Sequence, residues 1–249
     1  MGGFRFEFSP VAVLRSNLLT ASEGDDVGHR WAAMWFLRRV VRAPAHGAPV
    51  RPVLVSGSRT RIREFERADV DRWLSWPRHN DLLFEGYNPP QLSTRQRDLY
   101  HRQRALAPDT RQYAVDDLDG QLVGRISLRE ANWEVGFAVL GVSFHPSRLN
   151  QGFGSDALTA FLTYYFGTLT MQALYLDVAA FNRRAHRVYE KVGFRACGQR
   201  WGDPEADLLG IFRRADHLEL RQYFRAEQGL VRPLVIDMVL RREDWSVRH

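Results

Sequence analysis

Apolar residues recur at helical spacing over Ala157, Leu158, Phe161, Leu162 and Tyr165, which predicts a helix with one buried face. A second stripe, Ala185, Val188, Tyr189 and Val192, starts behind Asn182, a good N-cap, and stops at Gly193, a natural C-terminal residue. Asn182, Ala185 and Tyr189 then fall roughly on one face. Between the stripes Ala173 to Val178 reads as a strand, and Phe137 to Phe144 is another that stops at Pro146. Upstream, Arg59 to Phe65 alternates as a first strand, Ala68 to Trp76 reads as a helix stopped by Pro77, and Leu99 to Leu106 is weakly helical. Gln112 to Val115 and Leu122 to Leu128 are strands about a turn at Asp116 to Gly120. Beyond Phe194, Ala196 to Trp201 and Leu234 to Leu240 are further strands. The long polar segment Gly202 to Gly229 separates them, and within it Leu208 to Phe224 suits one or two helices.

The first fifty residues follow another pattern. Met1 to Gly28 has no clear period, whereas Arg30 to Val41 packs Trp31, Met34, Trp35, Phe36, Leu37, Val40 and Val41 around arginines, as an amphipathic or buried helix would. It is too short and too charged to span a bilayer, since Arg38 and Arg39 interrupt the apolar run, so no stable membrane insertion is expected. The start does not read as a secretory signal, and Met1-Gly-Gly-Phe-Arg-Phe6 lacks the Ser or Thr of a myristoylation site. Ala43 to Pro52 is a linker by composition. The expected division is an N-terminal helical extension and linker over 1–52 and one main domain over 53–249.

With 249 residues, 45% of them hydrophobic, the chain can bury one sizeable core. A net charge of +6 and a pI near 9.9 raise the question of nucleic acid. The basic residues are spread out and have acidic neighbours, as in Arg63-Glu-Phe-Glu-Arg67 and Arg241-Arg-Glu-Asp244, so a nucleic-acid partner is not expected. Lys191 is the only lysine among 35 basic residues, leaving 34 arginines, a bias that defines no ligand. Cys197 is the sole cysteine, which excludes an intrachain disulfide and any multi-thiolate metal site and is compatible with a reduced, cytoplasmic compartment.

Gln151-Gly-Phe-Gly-Ser places two glycines in a short turn directly before the first helical stripe. Glycines let backbone N–H groups converge, and the first turn of the helix adds partial positive charge at the same place, so the turn suits phosphate. Gly152-Phe-Gly154-Ser-Asp-Ala157 also fits the G-x-G-x-x-G/A fingerprint of dinucleotide folds, with Asp177 downstream as a ribose partner. The spacer Ser147 to Gln151 after the strand argues against that NAD reading, because there the first glycine should follow the strand at once.

Strand, Pro, short loop, Gln-Gly-Phe-Gly, helix, strand and then Asn182 to Phe194 together resemble the GNAT superfamily of acyl-CoA N-acyltransferases, with strand and loop patterns like those of ribosomal-protein N-terminal acetyltransferases. The resemblance runs from Arg59 to about Trp245 and is sharp only over Gly141 to Phe194. It implies an α/β (α+β) fold with a mixed, largely antiparallel sheet flanked by helices, and acetyl-CoA as acyl donor. It implies Gln151, Gly152, Phe153, Gly154 and Ser155 as phosphate contacts, the backbone of Val142 and Phe144 as partners of the pantetheine arm, and Asn182 as a further contact with that arm. Tyr189 would face the sulfur, and Arg184 beside Arg183 could meet the ribose phosphate. Two positions depart from the family pattern: Asp156 stands where Gly or Ala is usual, and Val139 where many relatives have Glu.

Acyl transfer from a thioester to an amine needs a neutral acceptor, a polarised carbonyl and a protonated leaving thiolate. Tyr189 is the candidate acid, and Glu134, acting through a water, is the candidate base ahead of His145. The function expected is transfer of an acetyl group to a primary amine by direct attack. The acceptor would be a protein N-terminus or a small amine such as a polyamine or an aminoglycoside. The rival reading is an acyl-CoA-binding regulatory module without catalysis. The aromatic loop Asn80 to Pro90, with Asp81 and Glu85, borders the acceptor in relatives but also reads as an ordinary packed surface loop. The 202–229 insertion would cover the acceptor site or build a homodimer interface.

Overall fold

The computed structural model describes residues 52–203, 215–227 and 229–246. The expected helix Arg30 to Val41 and much of the expected helical stretch after Leu208 lie outside these residues.

The described chain opens with β1 (Val53–Ser56) and β2 (Thr60–Glu64), an antiparallel hairpin. α1 (Arg67–Leu74) and α2 (Thr94–Leu106) follow, then the antiparallel run β3 (Arg111–Asp117), β4 (Leu122–Asn132) and β5 (Phe137–Phe144). α3 (Phe153–Thr163) crosses to β6 (Ala173–Ala179), and α4 (Arg183–Val192) to β7 (Arg195–Trp201). β8 (Phe224–Glu227), β9 (Leu230–Arg241) and α5 (Arg242–Ser246) complete it. The strand order is β1-β2-β3-β4-β5-β6-β9-β7, with β8 beside β9, and β5–β6 is the parallel pair. This is the mixed, largely antiparallel sheet expected, and it differs from the all-parallel sheet of a dinucleotide fold.

The two apolar stripes do what their spacing predicts. Ala157, Leu158, Phe161, Leu162 and Tyr165 are all fully buried against Ile126, Leu128, Leu174, Leu176 and Val178 on one face of the sheet. α3 ends in a π-helical turn, Tyr164–Thr168, and from it Tyr165 Oη donates to Ala173 O at 2.7 Å, fixing the start of β6. α1 covers the other face through Val70 and Trp73, with Phe65 and Leu122. There the Arg125 guanidinium lies 4.1 Å from the Trp73 ring centre.

Several elements differ from the sequence expectation for local reasons. α2 starts at Thr94 rather than Leu99, because Ser93 and Gln96 form a capping box in which Gln96 Oε1 accepts from Ser93 N at 2.8 Å. β1 precedes the strand expected to be first and pairs with it. Within the stretch Leu208 to Phe224, expected to form one or two helices, Ala215–Tyr223 is a 3₁₀ helix, and β8 after it makes a hairpin with β9.

One feature of the sheet creates the site. β5 pairs with β6 only over Phe137–Val139 and Ala173–Tyr175, whereas β4 holds β5 out to Phe144 and β9 holds β6 out to Ala179. Each half of the sheet keeps its own partner and its own twist, so the carboxyl ends of β5 and β6 part.

Candidate active site

Where the strands part, β5 presents a free backbone edge. His145 N donates to Val123 O at 2.9 Å, toward β4. Because N–H and C=O groups alternate sides along a strand, Ser143 and Gly141 also turn to β4, and Val142 and Phe144 turn toward the opening. The register thus assigns both expected residues to the edge that an acyl arm could pair with.

The opening ends at the glycine loop. Gly152 caps α3 with φ 85°, a left-handed conformation that glycine adopts without strain. The first-turn N–H groups of Phe153, Gly154 and Ser155 have no acceptor within the helix, so the loop offers converging donors. Gln151 shapes the loop, its Nε2 donating to Ser147 O at 2.8 Å. Phe144 packs beside Gly154, where a Cβ would stand 3.5 Å from the ring.

Asp156, the residue that departs from the family pattern, faces the β1–β2 turn. Its carboxylate accepts from Ser58 N at 2.8 Å, Ser58 Oγ at 2.6 Å, Arg59 N at 3.0 Å and Thr60 Oγ1 at 2.7 Å. Burial pushes this carboxyl up, but the hydrogen bonds from Ser58, Thr60 and Arg59 outweigh it and hold it below the ordinary aspartate range. A depressed carboxyl stabilises the fold above its ordinary pKa, about 4, and that contribution is lost as pH falls through the lower folded value. Asp156→Ala is therefore expected to cost about 1–3 kcal/mol at pH 7. In urea unfolding the difference from the parent should shrink below about pH 4; a difference that does not vary with pH would show that the carboxylate charge is not responsible.

α4 supplies the opposite wall. Asn182 is buried, and its Oδ1 accepts from Ala185 N at 3.2 Å, so the side-chain oxygen is used by the helix cap. Tyr189 packs edge-on to Phe194, ring centres 5.9 Å apart. Burial pushes its phenol well up, with Tyr87 and Asp177 adding to the rise. Arg184 lies 5.4 Å from the Phe84 ring centre, against the 3₁₀ turn Leu82–Tyr87, and Arg183 Nη2 donates to Tyr223 Oη at 3.3 Å. The structure thus places Arg184 against the aromatic loop.

On the sheet face covered by α1, Asp177 of β6 lies just beyond the last β5–β6 pair and directly opposite Asp237 of β9. Arg200 sits between them, its Nε 3.3 Å from Asp237 Oδ1 and its Nη2 3.8 Å from Asp177 Oδ2, while Arg129 Nη2 is 3.7 Å from Asp177 Oδ1. Burial is the main cause that pushes the Asp237 carboxyl up, Arg200 opposing it and Asp177 adding to it. Sequence reasoning considered Asp177 only as a ribose partner and passed over Asp237; the available signal was an acid within each of the apolar runs Ala173–Ala179 and Leu234 to Leu240.

Two expected residues are not brought to the opening as bases. Glu134 is exposed in the β4–β5 turn, where its N–H donates to Asn132 Oδ1 at 3.1 Å. At roughly 3.3 Å per residue, Phe137 to Val142 alone puts it about 16 Å away along β5. His145 caps the 3₁₀ turn Pro146–Arg148, Nδ1 accepting from Ser147 N at 3.2 Å, and its ring packs on Trp76.

A family model described as an acetyltransferase (GNAT) domain matches residues 59–195, more than half of the chain. The chain belongs to the GNAT acetyltransferase family. It is an acetyl-CoA-dependent N-acyltransferase, and the parted strands, the glycine loop and α4 form its GNAT core. The spermidine N(1)-acetyltransferase of Vibrio cholerae is 24% identical over 137 residues, which are 55% of this chain and 79% of that protein. The crystal structure of spermidine N-acetyltransferase from Vibrio cholerae in complex with CoA and spermine aligns with a TM-score of 0.59 at 20% identity, covering 76% of this chain and 99% of that one. The spermidine/spermine N-acetyltransferase SpeG from the same organism, in complex with manganese ions, aligns at 0.56 and 21% identity over 77% of this chain and 97% of that one. These structural likenesses are likenesses of fold. Among the described residues of this GNAT chain, no helix is long and apolar enough to cross a membrane.

Proposed function

We propose that this GNAT enzyme transfers the acetyl group of acetyl-CoA to a primary amine of a small polycation by direct attack. The observation that carries the reading is the opening between β5 and β6, with the Val142 and Phe144 backbone on one wall and the glycine loop at its end; Tyr189 of α4 is the residue assigned to face it. Gln151 to Ser155 bind the pyrophosphate, Asn182 Nδ2 and the β5 edge hold the pantetheine amides, and a β5 N–H polarises the thioester carbonyl. The amine attacks the carbonyl carbon, the C–S bond breaks, and the Tyr189 phenol protonates the departing sulfur. The raised phenol stays protonated at neutral pH and so is available as a donor to the departing sulfur. The small-amine class is supported by the spermidine acetyltransferases among the relatives. Glu134 takes no part in this reading, and the attacking amine loses its proton to water.

Calorimetric titration with acetyl-CoA, with NADH as control, tests the donor; thiol release with spermidine and with a short peptide bearing a free N-terminus tests the acceptor. Micromolar acetyl-CoA binding, no NADH binding and thiol release with spermidine are expected. Acetyl-CoA binding without release from any amine would leave an acyl-CoA-binding module in place of an enzyme, and release only with the peptide would reverse the acceptor class. The raised phenol also has a pH consequence. Tyr189 works while protonated, so kcat should not decline on its alkaline side until above about pH 10, the ordinary phenol value. A decline centred near pH 8 would assign the proton to another group.

A further inference from the structure

The glycine loop lacks a cation of its own: Gln151-Gly-Phe-Gly-Ser is followed by an acid, Asp156. A pyrophosphate resting there would meet backbone N–H groups and a helix end worth roughly half a positive charge, with a carboxylate one turn away. The fold brings a cation from elsewhere. The β1–β2 turn lies across the loop, pinned by the four hydrogen bonds that Asp156 accepts. Gly57 makes the approach feasible, since a Cβ there would strike the Asp156 carboxylate. The result is that Arg59 Nη1 donates to Gln151 O at 3.2 Å, and Arg59 Nε stands 3.9 Å from where a Cβ of Gly152 would be. One guanidinium N–H is used by the loop carbonyl; the exposed side chain keeps its other donors beside the loop amides.

Resting on the acyl-CoA reading above, we propose that Arg59 is the pyrophosphate-binding cation of this site, and that Asp156 is the residue that positions it. The acid that is unfavourable beside a phosphate is thereby turned toward the β1–β2 turn and becomes the anchor for an arginine ninety-seven positions away in the chain. Arginine suits the task because its planar fork can hold the Gln151 carbonyl and a phosphate oxygen together. Among the described residues, Arg148 near the loop is already paired: its Nη2 lies 3.7 Å from Asp117 Oδ2, and its guanidinium is 5.9 Å from the Phe153 ring centre.

Calorimetric titration of the full chain with CoA and with dephospho-CoA, which lacks the 3′-phosphate, tests the assignment. Arg59→Gln should weaken both ligands by about tenfold, as loss of one charge-assisted hydrogen bond predicts, and Arg59→Lys should recover part of that loss. Arg148→Ala should change neither beyond about twofold. Asp156→Asn should weaken CoA when Arg59 is present and add nothing when Arg59 is already Gln, a non-additivity that a merely structural role of Asp156 would not produce. Thermal unfolding of each variant confirms that it is folded under the titration conditions. Parent-like CoA affinity in Arg59→Gln, or an effect on CoA that is absent with dephospho-CoA, would overturn the pyrophosphate role. Failure of the parent itself to bind CoA would overturn the acyl-CoA reading and this inference with it.

Discussion

Tyr189→Phe should lower kcat by about 10²-fold or more while acetyl-CoA affinity stays within about twofold of the parent. The substitution removes one hydroxyl and keeps the ring, so the edge-on packing against Phe194 at 5.9 Å and the apolar face of α4 are retained. What is lost is the proton that the leaving thiolate of CoA needs. An alkyl thiolate released into a partly buried opening without a donor is a charge in a poorly solvated place, and the barrier rises accordingly. Steady-state kinetics with the acceptor that gives thiol release, paired with calorimetry of acetyl-CoA, separates chemistry from binding. Parent-like turnover would remove Tyr189 from the acid role; equal losses in turnover and affinity would make it a packing residue of the opening.

Arg63→Leu should be the most destabilising substitution considered, at about 3–5 kcal/mol. Arg63 is buried between two acids. Its Nη1 and Nη2 reach Asp69 at 2.6 and 2.9 Å, and its Nε and Nη2 reach Asp116 at 2.7 and 3.0 Å. Asp69 also accepts from Glu66 N at 2.9 Å at the start of α1, so the arginine joins β2, β3 and the first turn of that helix. Burial works against the Arg63 charge, but the hydrogen bonds and charges of Asp69 and Asp116 outweigh it and raise the guanidinium pKa. Leucine leaves Asp116 without its guanidinium and the buried Asp69 with only the more exposed Arg72, whose Nη1 is 3.2 Å from Asp69 Oδ1, and against a typical stability of about 5–15 kcal/mol that loss is a large fraction. Urea unfolding measures it. A cost under about 1 kcal/mol would mean that water reaches the acids once the guanidinium is gone. Replacing all three residues by apolar ones of similar volume should restore much of the loss, since it is the unpaired charge that is costly.

The parts of the fold that could be read from the sequence are those governed by neighbours along the chain. The stripe Ala157 to Tyr165 announced α3 because a helix returns to the same face every three or four residues, and all five side chains are buried there. Asn182 and Gly193 bounded α4 because capping is a property of the local backbone: Asn182 caps through its side chain, and Gly193 takes φ 109°. Pro146 marked the end of β5, and Gln151-Gly-Phe-Gly marked the loop before α3. β1, the early start of α2 and the hairpin partner β8 were harder to read, since short strands gain their stability from a partner and the capping box at Ser93 opens a helix with little apolar periodicity.

The sequence by itself determined the helices around the site, the glycine loop, the phenol of Tyr189 and the family to which the chain belongs, because each depends on residues close in sequence, all within Gly141 to Phe194. Only the tertiary structure decided what those parts meet. The parting of β5 from β6 follows from β6 pairing with β9, some sixty residues later, and it is this that turns Val142 and Phe144 toward an opening. The same long-range pairing sets Asp177 opposite Asp237, and the β1–β2 turn carries Arg59 to Gln151. Periodicity carries no information about such meetings, because strand register and turn docking are fixed by which distant surfaces bury each other best.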